Sequence, residues 1–105
     1  MAFPDIRAKV RVNVGVAYDS DVSMVKNLLR EIALSVSEVE REPQPEAFLV
    51  SFGDSALNMS LFFWVTDYNK TLAVTDQVNT TIITRFRESG IKIPYPTSVV
   101  LDKEK

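Results

Sequence analysis

The stretch VRVNVGVAYDSD, residues 10–21, decides the fold because it holds both a strand and the start of a helix. Its valines occupy alternate positions, and this two-residue period places β-branched side chains on one face of a strand. These are Val10, Val12, Val14 and Val16. The alternation ends at Tyr18 in a polar turn, where Ser20 is placed to cap a helix whose first turn carries Asp21. The stretch therefore predicts a strand that passes directly into a helix.

Composition sets the limits for the rest of the chain. Its 105 residues, 46% hydrophobic and 25% charged, are typical of one globular domain covering residues 1–105. The formal net charge of −2 does not favour a polyanionic partner, so no nucleic acid is predicted. The longest uninterrupted apolar run, residues 61–65, is far shorter than the roughly 20 residues that a membrane-spanning helix needs.

The chain contains neither histidine nor cysteine. Their absence removes the commonest general base, the thiol nucleophile and the usual zinc ligands. Asp19 and Asp21 flank a helix start, where carboxylates ordinarily cap the helix or complement its dipole. The sequence therefore predicts no enzyme activity, no cofactor and no metal site.

An amphipathic helix is predicted for residues 21–37, with apolar side chains three and four positions apart. These are Val22, Val25, Leu29, Ile32 and Val36. An acidic loop follows and extends to Glu46. Pro43 and Pro45 lack an N–H donor, so they end the helix and favour extended chain before the next strand. We interpret the loop as solvated, because its spacing implies no ligand geometry for a cation.

Residues 47–52 and 56–65 predict a β-hairpin that turns at residues 53–55. The second strand alternates between five apolar side chains on one face and a mixed set on the other. The apolar set is Leu57, Met59, Leu61, Phe63 and Val65. Phe62 and Trp64 belong to the mixed set, so both aromatic rings leave the core if the apolar set enters it.

Two aromatic side chains outside the core indicate a partner surface. We interpret Phe62 and Trp64 as an interface with another subunit, with burial under loops or chain ends as the alternative. Lys9 and Arg11 on the first strand would lie beside them on an open sheet, as in platforms that bind single-stranded nucleic acid. The sequence SLFFWV, residues 60–65, does not match the glycine-containing RNA-recognition motif, which disfavours that third interpretation.

A second helix that reaches about Ser89 is predicted after residues 67–70, with Asn69 or Thr71 placed to cap it. Apolar residues recur every four positions and form an inner stripe, with Ile83 beside it. The stripe is Val74, Val78, Ile82 and Phe86. Gly90 is placed to take the left-handed conformation that ends a helix.

A last strand is predicted to begin at residues 91–93, and residues 99–101 continue it. Between them, residues 94–96 carry two prolines that hold the backbone extended and deny it two hydrogen-bond donors, as at a sheet edge or interface. The predicted order is β-α-β-β-α-β. This is an α+β, ferredoxin-like arrangement in which two helices cover one face of an antiparallel sheet.

Four separated signatures of the chain resemble one known family. They are VGVAYDSDV (residues 14–22), EPQPE (residues 42–46), GDSALNMSLFFWV (residues 53–65) and GIKIPYP (residues 90–96). In this order, and over nearly the whole chain, they resemble the carboxy-terminal cytoplasmic α/β domain of the small-conductance mechanosensitive ion channel (MscS) family. Residues that match these motifs are expected to determine the fold and not to act in catalysis. They are Tyr18, Asp19, Ser20, Asp21, Gly53, Ser55, Gly90, Pro94, Tyr95 and Pro96.

The resemblance implies a soluble domain below the pore of a homoheptameric channel in the inner membrane. Such channels open under membrane tension and release ions and small solutes on osmotic downshock. The domain would form part of a perforated cytoplasmic vestibule that serves assembly and filtering, and the pore helices and a terminal barrel would lie outside residues 1–105. A stand-alone ferredoxin-like module that binds a regulatory ligand is the alternative.

Overall fold

The computed structural model describes residues 6–94, which fold into an antiparallel sheet and two helices. In chain order the elements are β1 (Ala8–Val16), α1 (Val22–Leu34), β2 (Glu46–Phe52), β3 (Leu57–Val65), a 3-10 turn (Tyr68–Lys70) and α2 (Thr71–Glu88). The sheet order is β1-β3-β2, with β3 antiparallel to both neighbours. Because β1 and β2 are parallel and separated by β3, α1 connects them as in a split βαβ unit. The α+β class that the sequence predicted is confirmed.

The hydrophobic core lies between one face of the sheet and the two helices. β3 runs through its middle, and every second side chain of this strand is at most 5% exposed. These side chains are Leu57, Met59, Leu61, Phe63 and Val65. α1 and α2 pack on this face of the sheet and contribute buried side chains at helical spacing. The predicted inner stripe of α2 is buried, whereas Ile83 is 51% exposed and lies outside that stripe.

Both ends of α1 differ from the sequence prediction. Asp21 is the N-cap, because its carboxylate accepts a hydrogen bond from the Met24 N–H at 3.2 Å. The prediction that Ser20 caps the helix is therefore wrong. The helix ends at Leu34 and not at residue 37, since the Ser35 hydroxyl donates to the carbonyl of Ile32 at 2.6 Å and the chain turns there.

The N-terminus of α2 has no side-chain cap, and the cap lies on the turn before it. Asp67 accepts a hydrogen bond from the Asn69 N–H at 2.9 Å and so caps the 3-10 turn that leads into the helix. Neither Asn69 nor Thr71 acts as the cap. The helix ends at Glu88, and Gly90 has a φ of +75°, which confirms the predicted left-handed position.

The predicted last strand is not formed by the described residues after α2. Residues 91–94 have no strand structure, although the Ala17 N–H donates to the carbonyl of Lys92 at 2.9 Å. This bond lies just beyond the end of β1, and the prediction of a strand at residues 91–93 is wrong. Tyr95, Pro96 and residues 99–101 lie outside the described residues.

The predicted hairpin is confirmed, with β2 starting one residue earlier and β3 one residue later than expected. The Gly53 N–H donates to the carbonyl of Ala56 at 2.7 Å and closes the turn. A bulge between Leu49 and Ser51, which the sequence did not predict, shifts the register of β2. The acidic loop before β2 is tied to the sheet, because the Glu40 N–H donates to the carbonyl of Trp64 at 2.8 Å.

Candidate functional site

The candidate functional site is the outer face of the sheet, which points away from the two helices. The register of β1 and β3 places Lys9 opposite Trp64 and also brings Arg11 opposite Phe62. β2 adds Phe48 on the other side of the Phe62 ring. We call this surface the cation-aromatic face. Its members are Arg7, Lys9, Arg11, Phe48, Phe62 and Trp64.

Cationic side chains cover the two rings that the sequence placed outside the core. The guanidinium carbon of Arg7 lies 5.1 Å from the centre of the Trp64 ring. The Lys9 ammonium and the Arg11 guanidinium each lie 5.4 Å from the centre of the Phe62 ring. At these distances the ring quadrupole attracts the cations, and their aliphatic stems exclude water from the rings. Phe62 and Trp64 are therefore half-buried without any partner chain.

The most exposed ring of this surface is one that the sequence analysis missed. Phe48 is 45% exposed and packs edge-on against Phe62, with 5.9 Å between the ring centres. Alternation along β2 could have identified it, because Ala47 and Leu49 point to the core side. The aromatic part of the surface therefore spans two strands.

A polar network continues the same face beneath Arg11. Ser60 is fully buried, although it lies on the outer side of β3. Its hydroxyl donates to Asn13 Oδ1 at 2.7 Å and accepts from Arg11 Nε at 3.3 Å. Arg11 Nε also lies 3.0 Å from Asn13 Oδ1. These bonds fix the guanidinium group over Phe62 and leave its outer side open to a partner.

The charge of the face is only partly neutralised within the chain. Arg7 forms an ion pair with Glu40 of the acidic loop at 3.2 Å. Lys9 and Arg11 have no ion-pair partner within 4 Å among residues 6–94. The face therefore presents two cations and three aromatic rings, a combination that suits a partner with carboxylates and apolar side chains.

The residues that match family motifs meet at one end of the sheet. The Tyr18 hydroxyl donates to the carbonyl of Gly53, which joins the loop after β1 to the hairpin turn. At Gly15, a Cβ atom would lie 3.0 Å from the Cβ of Ala56, so the end of β1 also approaches the hairpin turn closely. The Ala17 N–H also donates to the carbonyl of Lys92, two residues after Gly90. Three of the separated motifs, at residues 14–22, 53–65 and 90–96, thus contact one another in the fold.

Several of these motif residues occupy turns and helix ends within residues 6–94. Asp21 caps α1, Gly90 ends α2, and Gly53 begins the hairpin turn. Asp19 and Ser20 lie in the turn before α1, Ser55 in the hairpin turn and Pro94 at the end of the described chain. Residues 6–94 contain no group of three or more acidic side chains placed to hold a metal ion. Neither α1 nor α2 has the length and apolar character needed to cross a membrane.

Comparison with known proteins relates the chain to mechanosensitive channels. A family model described as "Mechanosensitive ion channel MscS, C-terminal" matches residues 10–93. An uncharacterized MscS family protein of Haemophilus influenzae is 32% identical over 94 residues, which cover 90% of this chain and 8% of that protein. The mechanosensitive channel MscK of Escherichia coli is 33% identical over 91 residues, with 87% and 8% covered. This chain thus spans a small part of these relatives.

A solved structure has the same fold. The crystal structure of Helicobacter pylori MscS in its closed state superposes with a TM-score of 0.77, covering 95% of this chain and 38% of that one. The sequence identity is 20%, so the similarity concerns the fold.

Proposed function

The chain belongs to the MscS family of mechanosensitive ion channels, and on that premise we propose that it is the cytoplasmic domain of a tension-gated channel. The proposed channel is a homo-oligomer, a homoheptamer as the family resemblance implies, and releases ions and small solutes on osmotic downshock. The match of the family's C-terminal model to residues 10–93 carries this proposal.

Within such a channel, membrane tension favours the pore state that occupies more membrane area. A domain outside the membrane changes that equilibrium only through contacts that differ between the states. Its proposed roles are therefore assembly of the subunits and filtering of what reaches the pore. The cation-aromatic face is the proposed site of assembly, because Phe48 remains 45% exposed there and Lys9 and Arg11 have no ion-pair partner within 4 Å in the described part of the chain.

The first experiment asks whether the chain is part of a membrane protein. Cells of the source are fractionated and blotted with an antibody raised against residues 6–94. We expect a band much heavier than 11.8 kDa in the membrane fraction, and tension-activated current from that protein in patches. A soluble band near 11.8 kDa would overturn the channel proposal and leave a free-standing module with a ligand to be found.

The second experiment asks whether the cation-aromatic face serves assembly. Replacing both Phe62 and Trp64 with serine should weaken oligomer formation by the channel in detergent while the isolated domain stays folded. Phe52→Ser is the matched control, because Phe52 is 73% exposed and lies outside the face. The interface assignment is wrong if the double variant assembles as well as the control variant does.

A further inference from the structure

The cation-aromatic face is unsuited to pairing with itself. A two-fold contact brings the same patch of both copies together, so it would set Lys9 and Arg11 of one copy against the same two cations of the other. Like charges in juxtaposition disfavour such a contact. If the face is the site of assembly, as proposed above, it therefore meets a different surface of the next copy.

One surface of α2 has the complementary chemistry. Leu72, Asp76 and Ile83 are four and seven positions apart, which places them along one side of the helix. Leu72 is 82% exposed and Ile83 is 51% exposed, and Asp76 lies exposed between them. Asp76 has no ion-pair partner within 4 Å among residues 6–94. We call these three residues the α2 stripe.

The dimensions of the two surfaces agree. At about 1.5 Å of rise per residue, the α2 stripe is roughly 16 Å long. At about 3.4 Å per residue, the outer face of β3 from Trp64 to Asn58 extends roughly 20 Å. The two aliphatic ends of the stripe can lie on aromatic rings while the carboxylate between them reaches Lys9 or Arg11. α2 packs on the inner side of the sheet, whereas the cation-aromatic face is on the outer side, so the two surfaces are distinct, as a head-to-tail contact requires.

We propose that the α2 stripe of one copy packs on the cation-aromatic face of the next copy, with Asp76 paired to Lys9 or Arg11. This inference rests on the proposed function for its homo-oligomer, and it specifies which two surfaces meet. Repetition of a head-to-tail contact closes into a ring when the rotation between copies permits it.

Because the chain has no cysteine, engineered cysteines are its only thiols. Asn58 lies at one end of the outer face of β3, where its side-chain amide donates to the Ser51 hydroxyl at 2.9 Å, and Thr80 is exposed on α2 near the stripe. Replacing both with cysteine removes that exposed hydrogen bond but leaves the charged and aromatic members of the two surfaces unchanged. The experiment uses oxidative cross-linking of the 105-residue chain at high concentration, and of the longest natural protein that contains it after any cysteine outside these 105 residues is replaced with serine. The N58C/T80C variant should form products of three or more chains. The control pair N58C/N27C, with Asn27 exposed on α1, should not.

Charge exchange tests the pairing itself. Asp76→Arg and Arg11→Asp should each reduce cross-linked product by on the order of tenfold, and the double exchange should restore it. Asp54→Arg is the control, since it makes the same charge change at an exposed position in the hairpin turn.

Two results would overturn this contact. One is a yield from N58C/T80C no higher than from the control pair, and the other is a cross-linked dimer from N58C alone, which indicates self-pairing of the face. A soluble 11.8 kDa protein in cells would contradict the proposed channel function, whereas the cross-linking result decides the contact separately.

Discussion

Phe62 and Phe63 are neighbours in β3, but they lie in opposite environments. Phe63 is 1% exposed among apolar side chains between the sheet and the helices. Phe62 is half-buried on the outer face, where the flexible side chains of Lys9 and Arg11 cover it. Apolar enclosure on all sides holds the inner ring in one place, whereas charged chains can move aside and still reach water. The inner face therefore determines the fold, and the outer face remains available to a partner.

The largest expected change in stability comes from removing Phe63, and it should be much larger than that from removing Phe62. Phe63→Ala removes a fully buried ring and leaves a cavity, so it should lower the free energy of unfolding by about 3–5 kcal/mol. Phe62→Ala should lower it by about 1 kcal/mol, because part of that ring already contacts water and an exposed cation-ring contact contributes little. Urea unfolding of the 105-residue chain measures both. Equal losses would mean that the outer ring belongs to the core.

The inner face was predictable because it depends on local periodicity. The alternation in β1 and β3, and the four-residue recurrence in α2, each place apolar side chains on one side of an element. The errors lie where local signals compete. Ser20 and Asp21 can both cap a helix, and only the geometry of the turn selects Asp21. Val36 continues the helical period, but it enters the core from a turn after the helix has ended.

The outer face was only half predictable. Alternation placed Phe62 and Trp64 outside the core, but whether they are covered depends on which strand lies beside β3. The structure pairs β1 with β3 so that Lys9 faces Trp64, and this register is a non-local property. The polar network at Ser60 has the same origin, because its partner Asn13 is distant in sequence.

A smaller effect is expected at Ser60, which is the exception on the outer face. Its side chain is 0% exposed and its hydroxyl bonds to Asn13 and Arg11. Ser60→Ala should therefore cost about 1–1.5 kcal/mol of unfolding free energy, as expected for a buried hydrogen bond. Ser51→Ala is the control at an exposed serine of β2, whose hydroxyl accepts a hydrogen bond from the Asn58 amide at 2.9 Å. Because that bond is exposed to water, the change should alter stability by less than about 0.5 kcal/mol. If both variants behave alike in thermal unfolding, the network beneath Arg11 does not hold the face together.

The hydrogen bond between Tyr18 and Gly53, at the ends of the strands, should contribute less to stability than the buried positions do. The Tyr18 hydroxyl bonds to the carbonyl of Gly53 near the surface, so Tyr18→Phe should cost about 0.5–1 kcal/mol. Tyr68→Phe is matched to it, because that tyrosine is 56% exposed and its hydroxyl has no hydrogen-bond partner within residues 6–94. Guanidinium unfolding of the two variants should differ by this amount. No difference would remove Tyr18 from the residues that determine the fold.

The smallest expected effect concerns what covers Phe62. Lys9→Met keeps an unbranched apolar stem over the ring and removes only the charge, so stability should change by less than about 0.5 kcal/mol. Lys9→Ala removes the stem as well and should cost more, because more of the ring then faces water although Arg11 still covers part of it. Unfolding in low and high salt distinguishes the two contributions, since only the charge term is screened. If Lys9→Met costs as much as Lys9→Ala, the ammonium group and not the stem protects the ring. The outer face would then be held together by electrostatics that salt weakens, whereas the inner face would not respond.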